Sequence, residues 1–389
     1  MNSRVANALI VRTVGGSSSL VGSDIQLPEP KSNHAIIRVI YVAQNYTNVR
    51  SFHSDVLEDE RVLGCDFLGE VEAIGSDVSR IGRGDVISGV ACGGDIMGVG
   101  GYGQYTLADE RLCFKIPPCV PYGDATVPFA ACTAYLGLFS KTRLSIDQKR
   151  GPDNSVLIWG GSSCVGRFAI QIAAVYKFRI LTTCGSRSFD LVKSLGANHV
   201  LDHYDGDVIE RIRNLELTLE YVFDTVGSPS GKGNLCTISP EKDTSDIAPS
   251  TNVTNASVWR AFLQSHWFNG VFFAPSVNEH EIAARFFDDL PKWLQDGIIK
   301  PNNLRVLKGG LGGVGNGFEL DQHGSPIGYK VAYEIEKLDT KCGLDLLHVM
   351  GMRKQILSAI TVQEKMIPFT EELKSSASPE AVLKKTLNS

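Results

Sequence analysis

Between Ser155 and Gly227 the hydrophobic period switches repeatedly, and few folds accommodate that. SVLIWG reads as a short buried strand, and VGRFAIQIAAVYK spaces its apolar residues for a helix packed on a sheet. RILTTC, SFDLVKSLGA (stopped by Gly196), HVLDH, GDVIERIRNL and YVFDTVG continue as strand, helix, strand, helix and strand. Strands separated by helices pair in parallel, so the expected core is a doubly wound parallel sheet. Before it, from about residue 5 to 127, short apolar runs such as AIIRVIYVA, GEVEAIG and GDVISGVA are broken by Gly, Pro and Asp. That texture predicts irregular antiparallel β-structure.

VPFAACTAYLGLF has helical length and leads into the alternating region. The stretch 228–257, rich in Ser, Pro, Thr and Asn, predicts loop with at most one strand, NLCTIS. A helix over IAARFFDDLPKWLQDG is followed by glycine-rich turns and a short helix in LKGGLGGVGNGFEL, then a strand in GYKVAYEI. Residues 340–389 read as a weakly amphipathic tail. A chain of 389 residues suits two domains, since single cores stop growing near ~250–300 residues.

With 43% apolar residues, a net charge of −5 and no Lys/Arg block, the chain is expected to be globular and to have no nucleic-acid partner. No segment approaches the ~18 uninterrupted apolar residues of a membrane span, and the N-terminus lacks the pattern of a signal peptide. The nine cysteines are odd in number and contain no C-x-x-C pair, which fits reduced, buried thiols. The chain is therefore expected in the cytoplasm, away from membranes.

Small residues between a strand and a helix let backbone approach a phosphate, whose charge the helix N-terminus stabilises. Three motifs compete for GGSSCVG. A Walker loop needs Lys and Ser or Thr after its last glycine, and Arg167 and Phe168 follow Gly166. A nucleophile elbow needs G-x-S-x-G, and Val165 stands at its last position, which makes Ser163 a poor nucleophile. A dinucleotide cradle needs strand, bend and helix in this order, with a βα series following. On that reading Gly161, Ser162, Ser163, Cys164, Val165 and Gly166 bind the pyrophosphate. The next strand ends in Cys184, Gly185, Ser186 and Arg187, without the acid that holds an NAD ribose. Ser186 and Arg187 can instead take a 2′-phosphate, so NADP(H) is the expected cofactor; alternatively they cap and solvate the following helix.

At GCDFLGEVEAIG (64–75), GDVISGV (84–90), GGYGQYTLAD (100–109), FAACTAYLGL (129–138), GGSSCVG (160–166), SLGANHVLD (194–202) and GGLGGVGNGFEL with GYKVAYEI (309–335) the chain resembles the medium-chain dehydrogenase/reductase superfamily. Within it, TTCGSRSFDLVKSLGA looks closest to fungal zinc-independent reductases, including the trans-acting enoyl reductases that serve polyketide synthases. The resemblance implies an α/β fold with a GroES-like β-rich catalytic domain (1–127), a Rossmann NADP-binding domain (128–299), and a return to the catalytic domain plus tail (300–389). The active site is then expected in the cleft between the domains.

The zinc enzymes of that superfamily carry a Cys, a GHE and a four-Cys lobe. Here Asn45 stands in place of the first Cys, Gly64-Cys65-Asp66 replaces GHE, and the lobe is missing, so no metal is expected. Without a Lewis acid, hydride transfer to a conjugated acceptor is easier to support than oxidation of an alcohol. The resemblance puts Asn45 and Thr133 beside the nicotinamide. Each has a plainer role open to it, an Asx turn for Asn45 and a helix N-cap for Thr133. Tyr46 is either a proton donor or a wall residue, and His203 or Tyr204 lines the adenosine phosphate. Val226, Gly227, Phe272, Phe273 and Lys330 complete the implied cofactor site. Trp259, Trp267, Phe268 and Phe272 form either a substrate wall or plain core.

The resulting expectation is an NADPH-dependent reductase of an activated C=C bond in a small or carrier-bound substrate, with a polyketide synthase as a candidate partner and a monomer or homodimer as its state. A free-standing quinone reductase, a reductase fold reused for a non-redox step such as cyclisation, and a partner subunit docking through the tail remain alternatives.

Overall fold

The computed structural model of the protein describes residues 5–14, 17–53, 57, 59–94, 98–215, 217–226, 234–238, 252–268, 271–322 and 329–336. The expectations for Gly227, most of the 228–251 loop and the tail 340–389 fall outside these residues. All the elements below belong to one unit, Met1–Lys337.

Strands β1 (Val5–Val14) and β2 (Ser17–Gln26) pair as an antiparallel hairpin. Strand β3 (His34–Ala43) is apolar on both faces and sits inside a sheet. After it comes α1 (Tyr46–His53), an eight-residue helix that the sequence did not announce. It carries almost no apolar stripe, and a local cap made by Asn48 defines its start. Strands β4 (Asp66–Ile74), β5 (Val86–Val90), β6 (Tyr105–Asp109) and β7 (Cys113–Lys115) complete the expected β-rich part.

Helix α2 (Pro128–Phe139) begins with Pro at its first turn, where the missing N–H costs nothing, and is buried almost all round. The alternating region then runs β8 (Ser155–Trp159), α3 (Cys164–Val175), β9 (Arg179–Cys184), α4 (Phe189–Ser194), β10 (His199–Asp202), α5 (Val208–Asn214), β11 (Tyr221–Asp224), β12 (Asn234–Thr237) and β13 (Asn252–Asn255). The six strands are all parallel, in the order β10-β9-β8-β11-β12-β13. The order reverses between β8 and β11, and a ligand crevice opens at the C-terminal ends of strands at such a switch point. Among its described residues the stretch 228–257 contains two strands, against the one expected. NVTN, with a polar residue at each end, gives no apolar run, and β13 exists because β12 supplies its ladder.

Strands β14 (His266–Phe268) and β15 (Val271–Phe273) form a small hairpin before α6 (Val277–Gln295), whose N-cap Ser276 accepts from the Glu279 amide. The chain then returns through β16 (Leu304–Leu307), α7 (Val314–Gln322) and β17 (Lys330–Glu334) to the first sheet. That sheet runs β16-β17-β3-β4-β5-β7, with β6 also on β3. Ala43 at the end of β3 lies opposite Asp66 on β4 and Ala332 on β17. The residues just past Ala43 are thus flanked by the start of β4 on one side and the start of β17 on the other. Among the described residues no helix is long and apolar enough to cross a membrane.

Candidate active site

The bend between β8 and α3 lies at the switch point. Gly160 has φ +84°, and a Cβ there would stand 2.1 Å from Val226 Cγ2. A Cβ on Gly161 would strike Thr182 Oγ1 at 2.1 Å, and one on Gly166 the Gly160 carbonyl at 2.3 Å. The glycines are therefore demanded by the protein's own strand-to-helix packing, before any ligand is considered. Ser163 caps α3: its Oγ accepts from Gly166 N (2.9 Å) and donates to Thr225 Oγ1 (2.9 Å). Thr225 in turn donates to the Trp159 and Gly160 carbonyls, which fixes the bend against the end of β11. Ser162 to Val165 stay half-buried, and the amides of Cys164 and Val165, first in the helix, have no intrahelical acceptor. This donor set, with the helix dipole behind it, fits a pyrophosphate. Val226, 60% exposed beside Gly160, borders the same crevice.

At the ends of β9 and β10, Ser186 and Arg187 are exposed, and Arg187 makes no ion pair among the described residues. His203 and Tyr204 stack at 4.0 Å, and both rings lie about 4 Å from the position a Gly185 side chain would occupy. Gly185, Ser186, Arg187, His203 and Tyr204 thus gather at one spot, with Tyr204 81% exposed. The structure adds Asp202, paired in register with Cys184, which linear order had hidden. Its Oδ2 accepts from Ser186 N (3.0 Å) and its Oδ1 from Tyr204 N (2.9 Å), so this carboxylate ties the two loops together.

The third group is built around β3, β4 and β17. Asn45 Nδ2 donates to Asp66 Oδ2 (2.8 Å), while Lys330 Nζ donates to Asn45 Oδ1 (2.9 Å) and Asp66 Oδ2 (2.5 Å). Asp66 Oδ1 accepts from Phe129 N (2.6 Å) at the N-terminus of α2, where the helix dipole also favours an anion. Lys330 is 2% exposed and Asp66 fully buried, so the pair is neutralised within the core. The partners fix the amide orientation, since the ammonium must face oxygen and the carboxylate must face nitrogen. Asn45 is half-buried, and its second Nδ2–H has no partner among the described residues. Its backbone also takes part in a turn: Asn45 N donates to Asn48 Oδ1 (3.0 Å), half of a capping box for α1. The capping side chain is therefore Asn48's, and the Asx turn expected of Asn45 is not made, because its own Oδ1 is taken by Lys330.

Thr133 lies in the middle of α2, not at its N-cap, and its hydroxyl donates to the Phe129 carbonyl (2.8 Å), one turn from the residue that holds Asp66. Tyr46 is 65% exposed and takes no part in the cluster. Lys330, expected at the cofactor, commits its ammonium to Asn45 and Asp66. Phe273 is buried, whereas Phe272 is 51% exposed and faces Trp267 at 5.3 Å on the hairpin that also holds Phe268. Trp259 is core, packed on Phe129.

Asp66 is the residue sequence reasoning undervalued, having met it only within the Gly64-Cys65-Asp66 that stands in place of GHE. The available signal was an acid opening the apolar strand DFLGEV, matched by a lysine opening the apolar strand KVAYE. Opposite charges at the ends of two buried strands must find each other.

Zinc does not fit here. Asp66 is saturated by an ammonium, an amide side chain and a backbone N–H. Burial pushes the Cys65 thiol up to about 12, against a lowering contribution from the Asn48 amide that donates to its Sγ (3.2 Å). Among the described residues no three His, Cys, Asp or Glu side chains converge on a metal position.

The alcohol dehydrogenase GroES-like domain matches residues 31–118, and the zinc-binding dehydrogenase domain matches residues 164–234. A zinc-type alcohol dehydrogenase-like protein of Schizosaccharomyces pombe is 30% identical over 312 residues, 74% of this chain and 88% of the relative. The trans-enoyl reductase thnE of Trichoderma harzianum is 28% identical over 358 residues, 82% and 94% of the two chains. The solved quinone oxidoreductase from Coxiella burnetii shares the fold at TM-score 0.62 and 20% identity, covering 86% of this chain and 100% of that one. With a GroES-like sheet, a Rossmann-type sheet and a cradle suited to a nicotinamide dinucleotide, NAD(P), this chain belongs to the medium-chain dehydrogenase/reductase family of oxidoreductases.

Proposed function

We propose that the protein is an NADPH-dependent, metal-independent reductase of a C=C bond conjugated to a carbonyl, acting on an enoyl thioester in polyketide-type metabolism in the cytoplasm. The observation that carries this reading is the closed Asn45–Lys330–Asp66 cluster, two members of which, Asn45 and Asp66, stand where the resemblance would put metal ligands. A cation is present there, but it is an ammonium fixed in place by a carboxylate. It polarises Asn45 without offering an open coordination site.

The bound dinucleotide would supply a hydride. The protein's part is to place the acceptor's β-carbon and to stabilise the oxygen on which charge develops as the C=C electrons shift. The remaining Nδ2–H of Asn45 is a preorganised donor for that oxygen: as hydride forms the β-C–H bond the C=C pair would move onto the α-carbon and carbonyl oxygen, and a proton from solvent would then form the α-C–H bond as the carbonyl is restored. Arg187 and Ser186 supply charge and hydroxyl for the 2′-phosphate of NADPH, with Tyr204 or His203 against the adenosine. The similarity to a trans-enoyl reductase over most of both chains supports a carrier-bound substrate and a polyketide synthase as partner.

NADPH oxidation followed with a panel of enoyl thioesters, free enones, quinones and aliphatic aldehydes tests this. Turnover with enoyl thioesters at least about tenfold better in kcat/KM than with any other class is the expected outcome, equivalent to ~1.4 kcal/mol of differential transition-state binding. Preference for quinones would overturn the substrate assignment, and tight NADPH binding without oxidation by any acceptor would overturn the reductase reading.

A further inference from the structure

The dinucleotide cradle and the Asn45 cluster sit on different sheets, yet hydride transfer requires them to hold a fixed relation. A polar route joins them, through the buried side chains of Arg167, Gln171, Asn302 and Lys330 and the backbone of the exposed Lys300 and Asn303. Arg167, in the first turn of α3 and only 5% exposed, donates from Nε to the Ser162 carbonyl in the bend (3.1 Å) and from Nη1 to Asn302 Oδ1 (3.5 Å). One turn on, Gln171 reads the backbone of Lys300 with both ends of its amide. Its Oε1 accepts from Lys300 N (2.7 Å), and Nε2 donates to Lys300 O (3.2 Å) and Arg167 O (3.2 Å). The segment so gripped runs straight into β16, which pairs with β17 from Leu304 opposite Lys330. Asn303 O accepts from Lys330 N (2.6 Å), and the Lys330 ammonium holds Asn45 and Asp66.

We propose that Arg167, Gln171 and Asn302 are positioning residues that set the register between the dinucleotide cradle and the Asn45–Lys330–Asp66 cluster, and so the distance over which hydride moves. This rests on the reductase reading of the site. An arginine and a glutamine on the buried face of a helix that otherwise packs Phe168, Ile170 and Ile172 need a reason, because each must be desolvated and fully engaged. The strut supplies it. Cradle and cluster are thereby joined through one side of a single helix, α3, and a displacement of that helix alters the reacting geometry. A misplacement near 1 Å can cost on the order of 10²-fold in rate while leaving binding intact.

The test uses Arg167→Met, Gln171→Met and Asn302→Ala in the full chain. Asn302→Ala lies outside the cradle and removes one hydrogen bond from a residue whose Nδ2 has no partner among the described residues, so it carries the test if the helix variants fail to fold. Each variant is read for NADPH dissociation constant by fluorescence without acceptor, for kcat, and for the primary isotope effect with 4-deuterated NADPH. The expected result is kcat lowered about fivefold or more, a larger isotope effect, and a dissociation constant within about twofold of the parent, with Arg167→Lys recovering part of the rate. Parent-like kcat and isotope effect in folded Asn302→Ala would overturn the proposal, as would loss confined to NADPH affinity in the helix variants. A parent protein that oxidises no NADPH would instead sink the reductase reading, so the two failures are distinct.

Discussion

Lys330→Met is expected to lower kcat for the best acceptor by about 10²–10³-fold, in the range seen when an enzyme loses a preorganised donor at a developing oxyanion. It should also cost about 3–5 kcal/mol of stability, because it leaves a fully buried Asp66 carboxylate without its counter-ion. The two effects are separable. In the double variant Asp66→Asn, Lys330→Met, both charges are gone, so much of the stability returns while Asn45 still lacks the ammonium that polarises it. Denaturant unfolding and NADPH oxidation measured on the same preparations decide the matter. Full turnover in the single variant would mean that the cluster is structural only, and that hydride transfer draws its stabilisation from elsewhere.

Arg187→Ala addresses the other end of the cofactor. A charge-assisted hydrogen bond to phosphate contributes about 1.5–3 kcal/mol, so KM for NADPH should rise roughly tenfold or more. KM for NADH should change by no more than about twofold. Arg187 is exposed and has no ion pair among the described residues, so the substitution carries little structural cost. Equal effects on the two cofactors would remove the 2′-phosphate assignment. They would point instead to Asp202, whose carboxylate stands beside the end of β9 and could receive a ribose hydroxyl if the Ser186 and Tyr204 amides released it.

The parallel sheet was legible because each strand and helix between Ser155 and Asp224 announces its period. The glycines of the bend were legible too, although for a different reason from the one inferred. Gly160, Gly161 and Gly166 are forced by Val226, Thr182 and the Gly160 carbonyl, that is, by the protein's own packing. What stayed hidden was held by contacts distant in sequence. Asp66, Asn45 and Lys330 come from three strands or strand ends, and only the register of β3 with both β4 and β17 puts them together. Asp202 escaped notice for the same reason, since the absence of an acid after β9 in the sequence does not exclude one delivered by β10. Helix α1 and strand β13 are defined by a side-chain cap and by a neighbour's ladder, neither of which leaves a hydrophobic pattern.

On the proposed function, hydride goes to the β-carbon of a conjugated acceptor without a metal. The most direct test is a single turnover of an enoyl thioester with 4-deuterated NADPH in excess chelator, followed by NMR of the product. The expected product is a saturated thioester with one deuterium at the β-carbon, formed at the same rate with and without chelator. Deuterium at a carbonyl-derived carbon, or loss of the rate on chelation, would contradict it.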